Sequence, residues 1–195
     1  MSRFLLITGL CILLAACQHS PKKNYYYLTP TQVADNTIPQ NANNAPLQLI
    51  GIGPVEIAEY LTRSQIIENQ ADNTLTISDN AYWAEPLDKS IARVISLNLT
   101  QLNNSRSFVY FPWRSDSKPH YSVRLHVDTL ARSGKNANIN ATWELVDNNS
   151  KNTLVRHNFL RSTTSESSAK GLAQAYSQLL AELAKEIDEA LNKNP

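Results

Sequence analysis

Apolar residues fall along this chain in three rhythms, each predicting a different kind of element. From Phe4 to Ala16 they run almost unbroken behind a single Arg3, with small residues leading into Cys17. A positive start, an apolar middle and a small-residue end are the layout of a secretory leader. The stretch is shorter than the roughly 20 apolar residues needed to cross a bilayer. From Leu47 to Arg161 the rhythm is mainly that of strands. Leu47 to Ile57 is apolar and β-branched, as in a well-buried strand, and Gly51, Gly53 and Pro54 mark a bulge or an edge within it. Ser64 to Asn69 and Asn73 to Ser78, joined by Gln70-Ala71-Asp72, predict a hairpin. Tyr121, Val123, Leu125 and Val127 alternate with Ser122, Arg124, His126 and Asp128. Ala137, Ile139, Ala141, Trp143 and Leu145 repeat that alternation beyond a turn at Ser133 to Asn136. A second turn at Asp147 to Ser150 precedes a third strand near Thr153 to Arg161, completing a meander with one dry and one wet face.

The third rhythm is helical. Leu87, Ile91, Val94, Ile95 and Leu102 share one face of a helix of about four turns, with Pro86 at the first helical position, where a missing N–H costs nothing. Leu172, Tyr176, Leu179, Leu183, Ile187 and Leu191 line a terminal helix from about Ser168 to Asn192, and Ser165 to Ser168 supply its N-cap candidates. Two amphipathic helices packed on a largely antiparallel sheet that ends in a three-strand meander define an α+β fold. The predicted organisation is a leader at 1–16, Cys17 with a polar tether at 17–24, and one α+β domain at 25–195. Tyr25-Tyr26-Tyr27-Leu28 opens the domain as a short aromatic strand, followed by a polar loop from Thr31 to Pro46.

Charge and chemistry narrow the function classes. The chain has 18 basic and 17 acidic side chains, and loss of Arg3 with the leader brings them into balance. Nucleic-acid binding, which needs clustered positive charge, is not indicated. Of the two cysteines, Cys11 lies in the leader and Cys17 at its end, so the domain has no thiol for a disulfide, metal or nucleophile. His19, His120, His126 and His157 show no metal-ligand or nucleophile-activating spacing, and read as solvent-facing groups. No Gly-x-Ser-x-Gly elbow is present. Gly51-Ile52-Gly53 lacks the third glycine of a dinucleotide loop, and Pro54 removes an N–H that such a loop would use. Asp35, Glu56, Glu59, Asp72, Asp79 and Glu85 are scattered and read as solvated carboxylates, without a calcium-loop pattern. The expectation is no catalytic residue, no metal and no cofactor. The aromatic residues Tyr26, Tyr27, Trp83 and Trp113 are the candidates for contact with a partner, because aromatic groups bury large area at low entropic cost.

Leu14-Ala15-Ala16-Cys17 resembles the bacterial lipobox, in which the cysteine is acylated and becomes the first mature residue. Gln18 stands where an Asp would resemble an inner-membrane retention signal, so the expected address is the inner leaflet of the outer membrane, facing the periplasm of a Gram-negative cell. Several segments in order then resemble the PqiC/YmbA family of ABC-type transport auxiliary lipoproteins. They are Tyr26-Tyr27-Leu28, Gly51-Ile52-Gly53-Pro54-Val55, Tyr60-Leu61 with Arg63-Ser64-Gln65-Ile66-Ile67, and Trp83-Ala84-Glu85-Pro86-Leu87 leading into Arg93-Val94.

The resemblance implies an α+β, non-catalytic lipoprotein of an intermembrane system that moves phospholipid or other hydrophobic molecules and maintains the envelope. It also implies a membrane-protein partner whose MCE domains span the periplasm, and self-association into a ring would suit such a tubular partner. No catalytic residue is carried over from the family. A regulatory or assembly lipoprotein, acting on an envelope enzyme or on outer-membrane biogenesis, is the alternative. A periplasmic hydrolase is a third reading, and it requires a nucleophile paired with a base in a cleft.

Overall fold

The computed structural model describes residues 22–31, 48–71, 73–114, 116 and 118–194. Cys17, the leader and most of the loop after Thr31 lie outside the described residues. Among these residues eight strands form two sheets: β1 (Asn24–Tyr26), β2 (Gln48–Ile57), β3 (Gln65–Ala71), β4 (Thr74–Trp83), β5 (Arg106–Tyr110), β6 (Tyr121–Ser133), β7 (Asn136–Asp147) and β8 (Asn152–Thr164). Helix α1 (Leu87–Leu102) lies between β4 and β5, and α2 (Ala169–Lys193) follows β8. The fold is α+β.

The larger sheet has the order β5-β2-β6-β7-β8, and the smaller β1-β4-β3. The antiparallel meander β6-β7-β8 follows the alternation in the sequence, and Ala137, Ile139, Ala141, Trp143 and Leu145 are all essentially inaccessible. A chain of this composition cannot leave such a face wet, so α2 and α1 lie side by side across it and over β2. Strand β2 runs parallel to both of its neighbours, β5 and β6. Helix α1 provides the crossover from β4 to β5. The register of β2 on β6 slips between Ile52 and Val55, so Gly53 and Pro54 form a bulge inside the sheet and not at an edge.

The smaller sheet is the predicted hairpin, β3 with β4, extended by β1 in parallel. Asn73 turns the hairpin with φ +60°, a conformation that asparagine tolerates well. Ala58 N–H donates to the Val127 carbonyl at 3.0 Å and joins the end of β2 to β6.

Two details of the helices differ from the sequence reading. Pro86 is the N-cap residue and α1 begins at Leu87. Leu102 is 38% exposed, and Leu99, one turn earlier, completes the buried face because the helix ends against solvent at Asn103. At α2 the capping serine is Ser168, whose Oγ accepts from Gly171 N–H at 3.0 Å and satisfies one otherwise unpaired donor. Among the described residues no helix is long and apolar enough to cross a membrane.

Candidate functional site

The glycines of β2 explain the geometry around them. A Cβ at Gly51 would lie 2.7 Å from the Trp113 ring and 2.8 Å from Pro119, and one at Gly53 would lie 2.9 Å from Phe111 Cβ. Gly53 also has φ +114°, which only glycine adopts readily. Missing side chains on this strand let the segment from Tyr110 to Trp113 settle directly on it. Phe111 and Trp113 then stack edge to face, with ring centroids 5.1 Å apart. The glycine pair is therefore a packing shelf within the strand.

Opposite this aromatic segment stands the first half of α1, and between them opens a groove of about 470 Å³. Ile52, Pro54, Val55 and Ala92 form its apolar walls, with Tyr110 and Phe111 beside them. Tyr110 and Phe111 are 47% and 46% exposed, high for large aromatic groups. The Tyr110 hydroxyl is held 2.6 Å from Ser96 Oγ on α1, which sets the width of the groove.

Charge is confined to the helical rim, at Glu85, Asp88, Lys89 and Arg93. Arg93 Nε donates to Glu85 Oε1 at 3.1 Å, and Nη2 donates to the same oxygen and to the Leu28 carbonyl. Ser90 Oγ donates to Glu85 Oε1 at 2.9 Å. The Arg93 hydrogen bond holds the Glu85 carboxyl below the usual range, aided by Ser90, while partial burial pulls the other way. Glu85 is thus an engaged carboxylate, not the solvated one expected from its scattered position. The sequence pattern marks neither the groove nor this pair as a site. The signal available was Glu85-Pro86-Leu87 followed by Arg93, which puts acid and base on either side of a helix start.

The four aromatic candidates separate by environment. Tyr26 and Trp83 are register partners across β1 and β4, and both pack into the core. Trp83 is 8% exposed with its ring centroid 6.4 Å from that of Tyr176, which removes it from the accessible surface. Tyr27 is 60% exposed just past the end of β1, next to an exposed Tyr25 stacked on Tyr82. Trp113 is half-buried on Gly51.

The described histidines are engaged in local contacts. His157 Nδ1 lies 2.5 Å from Glu186 Oε1 on α2, the oxygen that also accepts from Trp143 Nε1. His126 sits between Glu56 and Asp128, and His120 contacts Asn149. Among the described residues no group of three or more His, Cys, Asp or Glu is placed to hold a metal.

Comparison with known proteins adds to this geometry. The model of the family described as ABC-type transport auxiliary lipoprotein component matches residues 26–188. The intermembrane transport lipoprotein PqiC of Escherichia coli (strain K12) is 29% identical over 99 residues, which are 50% of this chain and 51% of that protein. The protein of the same name from Shigella flexneri matches to the same extent. The match thus spans about half the length of these curated relatives. A crystal structure of an uncharacterized protein superposes with a TM-score of 0.68 at 18% identity, covering 88% of this chain and 99% of the other. A protein from Xanthomonas campestris superposes with a TM-score of 0.63 at 15% identity, covering 88% and 100%. At these identities the two structures speak for the fold alone.

Proposed function

Because this chain belongs to the ABC-type transport auxiliary lipoprotein family, we propose that it is the docking subunit of an intermembrane lipid transport system. It is anchored by acyl chains on Cys17 in the inner leaflet of the outer membrane, faces the periplasm, and works by binding and not by catalysis. Its partner in this reading is an MCE-domain membrane protein that crosses the periplasm, and copies of the chain form a ring around the end of that partner. The observation that carries the reading is the family match over 26–188, behind the Leu14-Ala15-Ala16-Cys17 run.

The physical logic is confinement. Each buried acyl CH₂ contributes about 0.8 kcal/mol, so multiple chains on one cysteine hold the domain at its bilayer. A tethered domain meets a partner that reaches the same membrane at a raised effective concentration, and modest contacts then suffice. Tyr27 and Trp113 are the aromatic groups in this reading that offer contact area. Photo-crosslinkers placed at these two positions in intact cells should capture an MCE-domain protein. Capture of only unrelated envelope proteins, or release of a Cys17→Ser chain with no loss of envelope integrity, would defeat the proposal.

A further inference from the structure

We infer that the groove between α1, β2 and the end of β5 binds one acyl chain of a zwitterionic phospholipid. The chain lies in the trough, and the phosphate and ammonium groups meet the charged rim of α1. This site goes beyond the docking role and does not rest on it.

The volume of about 470 Å³ is that of a small-molecule site, which typically has about 300–1,000 Å³. Ile52, Pro54, Val55 and Ala92 offer the chain hydrocarbon and no charge, while Tyr110 and Phe111 leave nearly half their area uncovered. Burying that area against an alkyl chain is favourable. An extended peptide is a poorer occupant. Its backbone groups must all be paired on burial, yet Pro54 has no N–H to offer and the Ile52 carbonyl already accepts from Phe111 N–H at 3.0 Å. An alkyl chain makes no such demand.

The rim selects the headgroup. Two carboxylates and two cations face the groove, giving no net charge. A fatty-acid anion would meet Glu85 and Asp88 as well as Lys89 and Arg93, whereas a phosphate joined to an ammonium can pair with both kinds. The atoms for this are available. Among the described residues Arg93 uses Nε and Nη2 and leaves Nη1 without a hydrogen bond, and Glu85 uses Oε1 and leaves Oε2. Lys89 is mostly exposed, and its 3.4 Å contact with neighbouring Asp88 is of the weak surface kind. Lys89 Nζ and Arg93 Nη1 can thus take the phosphate, and Asp88 with Glu85 Oε2 the ammonium.

The test uses the full chain reconstituted in vesicles of phosphatidylethanolamine and phosphatidylglycerol. The vesicles are doped with a phosphatidylethanolamine bearing a diazirine at the end of one acyl chain, or at equal density with a diazirine fatty acid. After irradiation the labelled peptides are mapped by mass spectrometry. The zwitterionic probe should mark the segments around Val55, Ala92 and Phe111, and the fatty acid should mark them at least about tenfold less, the worth of one charge-assisted contact. Ala92→Trp, which fills the trough, should abolish the mark. Lys89→Glu, on an exposed residue that the fold does not need, should weaken it several-fold and keeps the test decisive if Ala92→Trp misfolds. Labelling spread evenly over the surface, equal labelling by both probes, or zwitterionic-probe labelling that spares the segments around Val55, Ala92 and Phe111 would each overturn the proposal. Partner capture through Tyr27 in cells carrying Lys89→Glu reports on docking separately, so the two readings fail independently.

Discussion

Arg93 on α1 reaches Glu85 through Nε at 3.1 Å and the Leu28 carbonyl through Nη2 at 3.0 Å, so one guanidinium ties the segment just after β1 to the start of the helix. The same pair forms the rim of the groove.

The pair makes acid stability predictable. The folded-state value of Glu85 is lowered, so its carboxylate contributes stability above its ordinary value of about 4.5, and the contribution fades as pH falls through the lowered one. Below both values the group is protonated folded or unfolded and contributes nothing. Glu85→Gln should lower the thermal midpoint at pH 7, by the equivalent of no more than about 1 kcal/mol for a pair one-third exposed. The two melting curves should converge near the acid limit, in a series of melts across pH. An undiminished gap there would show that the residue acts through packing.

Arg106 and Asp188 should matter more to stability. Arg106 Nη1 donates to Asp188 Oδ1 at 2.5 Å and Nη2 to Asn192 Oδ1 at 2.7 Å, with the Arg106 side chain only 5% exposed. This contact fastens β5 to the last turns of α2. Removing one member strands the other as an uncompensated charge, and Arg106→Ala should cost about 3–5 kcal/mol. Arg106→Met, which keeps the volume, still strands Asp188, although at 16% exposure that carboxylate can recover part of its hydration. Urea unfolding of both variants measures the difference, with Met expected to lose less than Ala.

Gly53→Ala should be unfavourable for two independent reasons, the φ of +114° and the 2.9 Å approach of Phe111. The expected cost is roughly 1–3 kcal/mol. It should be accompanied by a changed near-ultraviolet circular dichroism signal as Phe111 and Trp113 shift. Gly134→Ala provides a control, since Gly134 also has positive φ but no neighbour within 4 Å of an added Cβ. It should be the milder of the two.

The two tryptophans considered as contact residues should respond oppositely. Trp83→Ala should cost about 3–5 kcal/mol, as a buried aromatic group does, and reduce partner capture only through loss of folded protein. Trp113→Phe should leave the unfolding midpoint within about 1.5 kcal/mol of the parent while weakening capture at constant folded concentration. Urea melts and cellular crosslinking on the same samples separate the two effects.

Much of the architecture is legible in the sequence. The alternation in β6 and β7, the helical spacing of both helices, the capping serines and the hairpin all arise from neighbours along the chain, and side-chain period is a local property. Glycine and proline in β2 likewise announced a backbone irregularity, though not whether it was a bulge or an edge.

Contacts distant in sequence decided the rest. Which strands flank β2, and in which direction, depends on how α1 carries the chain from one sheet to the other. The burial of Trp83 and exposure of Tyr27, both near short aromatic strands, depend on what α2 covers. In the sequence Glu85 reads as one more solvated carboxylate because its partner Arg93 lies about two helical turns away, and that arginine's other anchor, the Leu28 carbonyl, far earlier in the chain. The groove itself has no linear signature: it exists only where a glycine shelf, an aromatic segment and a helix start converge. The sequence by itself determined the elements and their wet and dry faces, because these follow from local periodicity. Only the tertiary structure decided which apolar surface remained uncovered, because that depends on how all the elements pack at once.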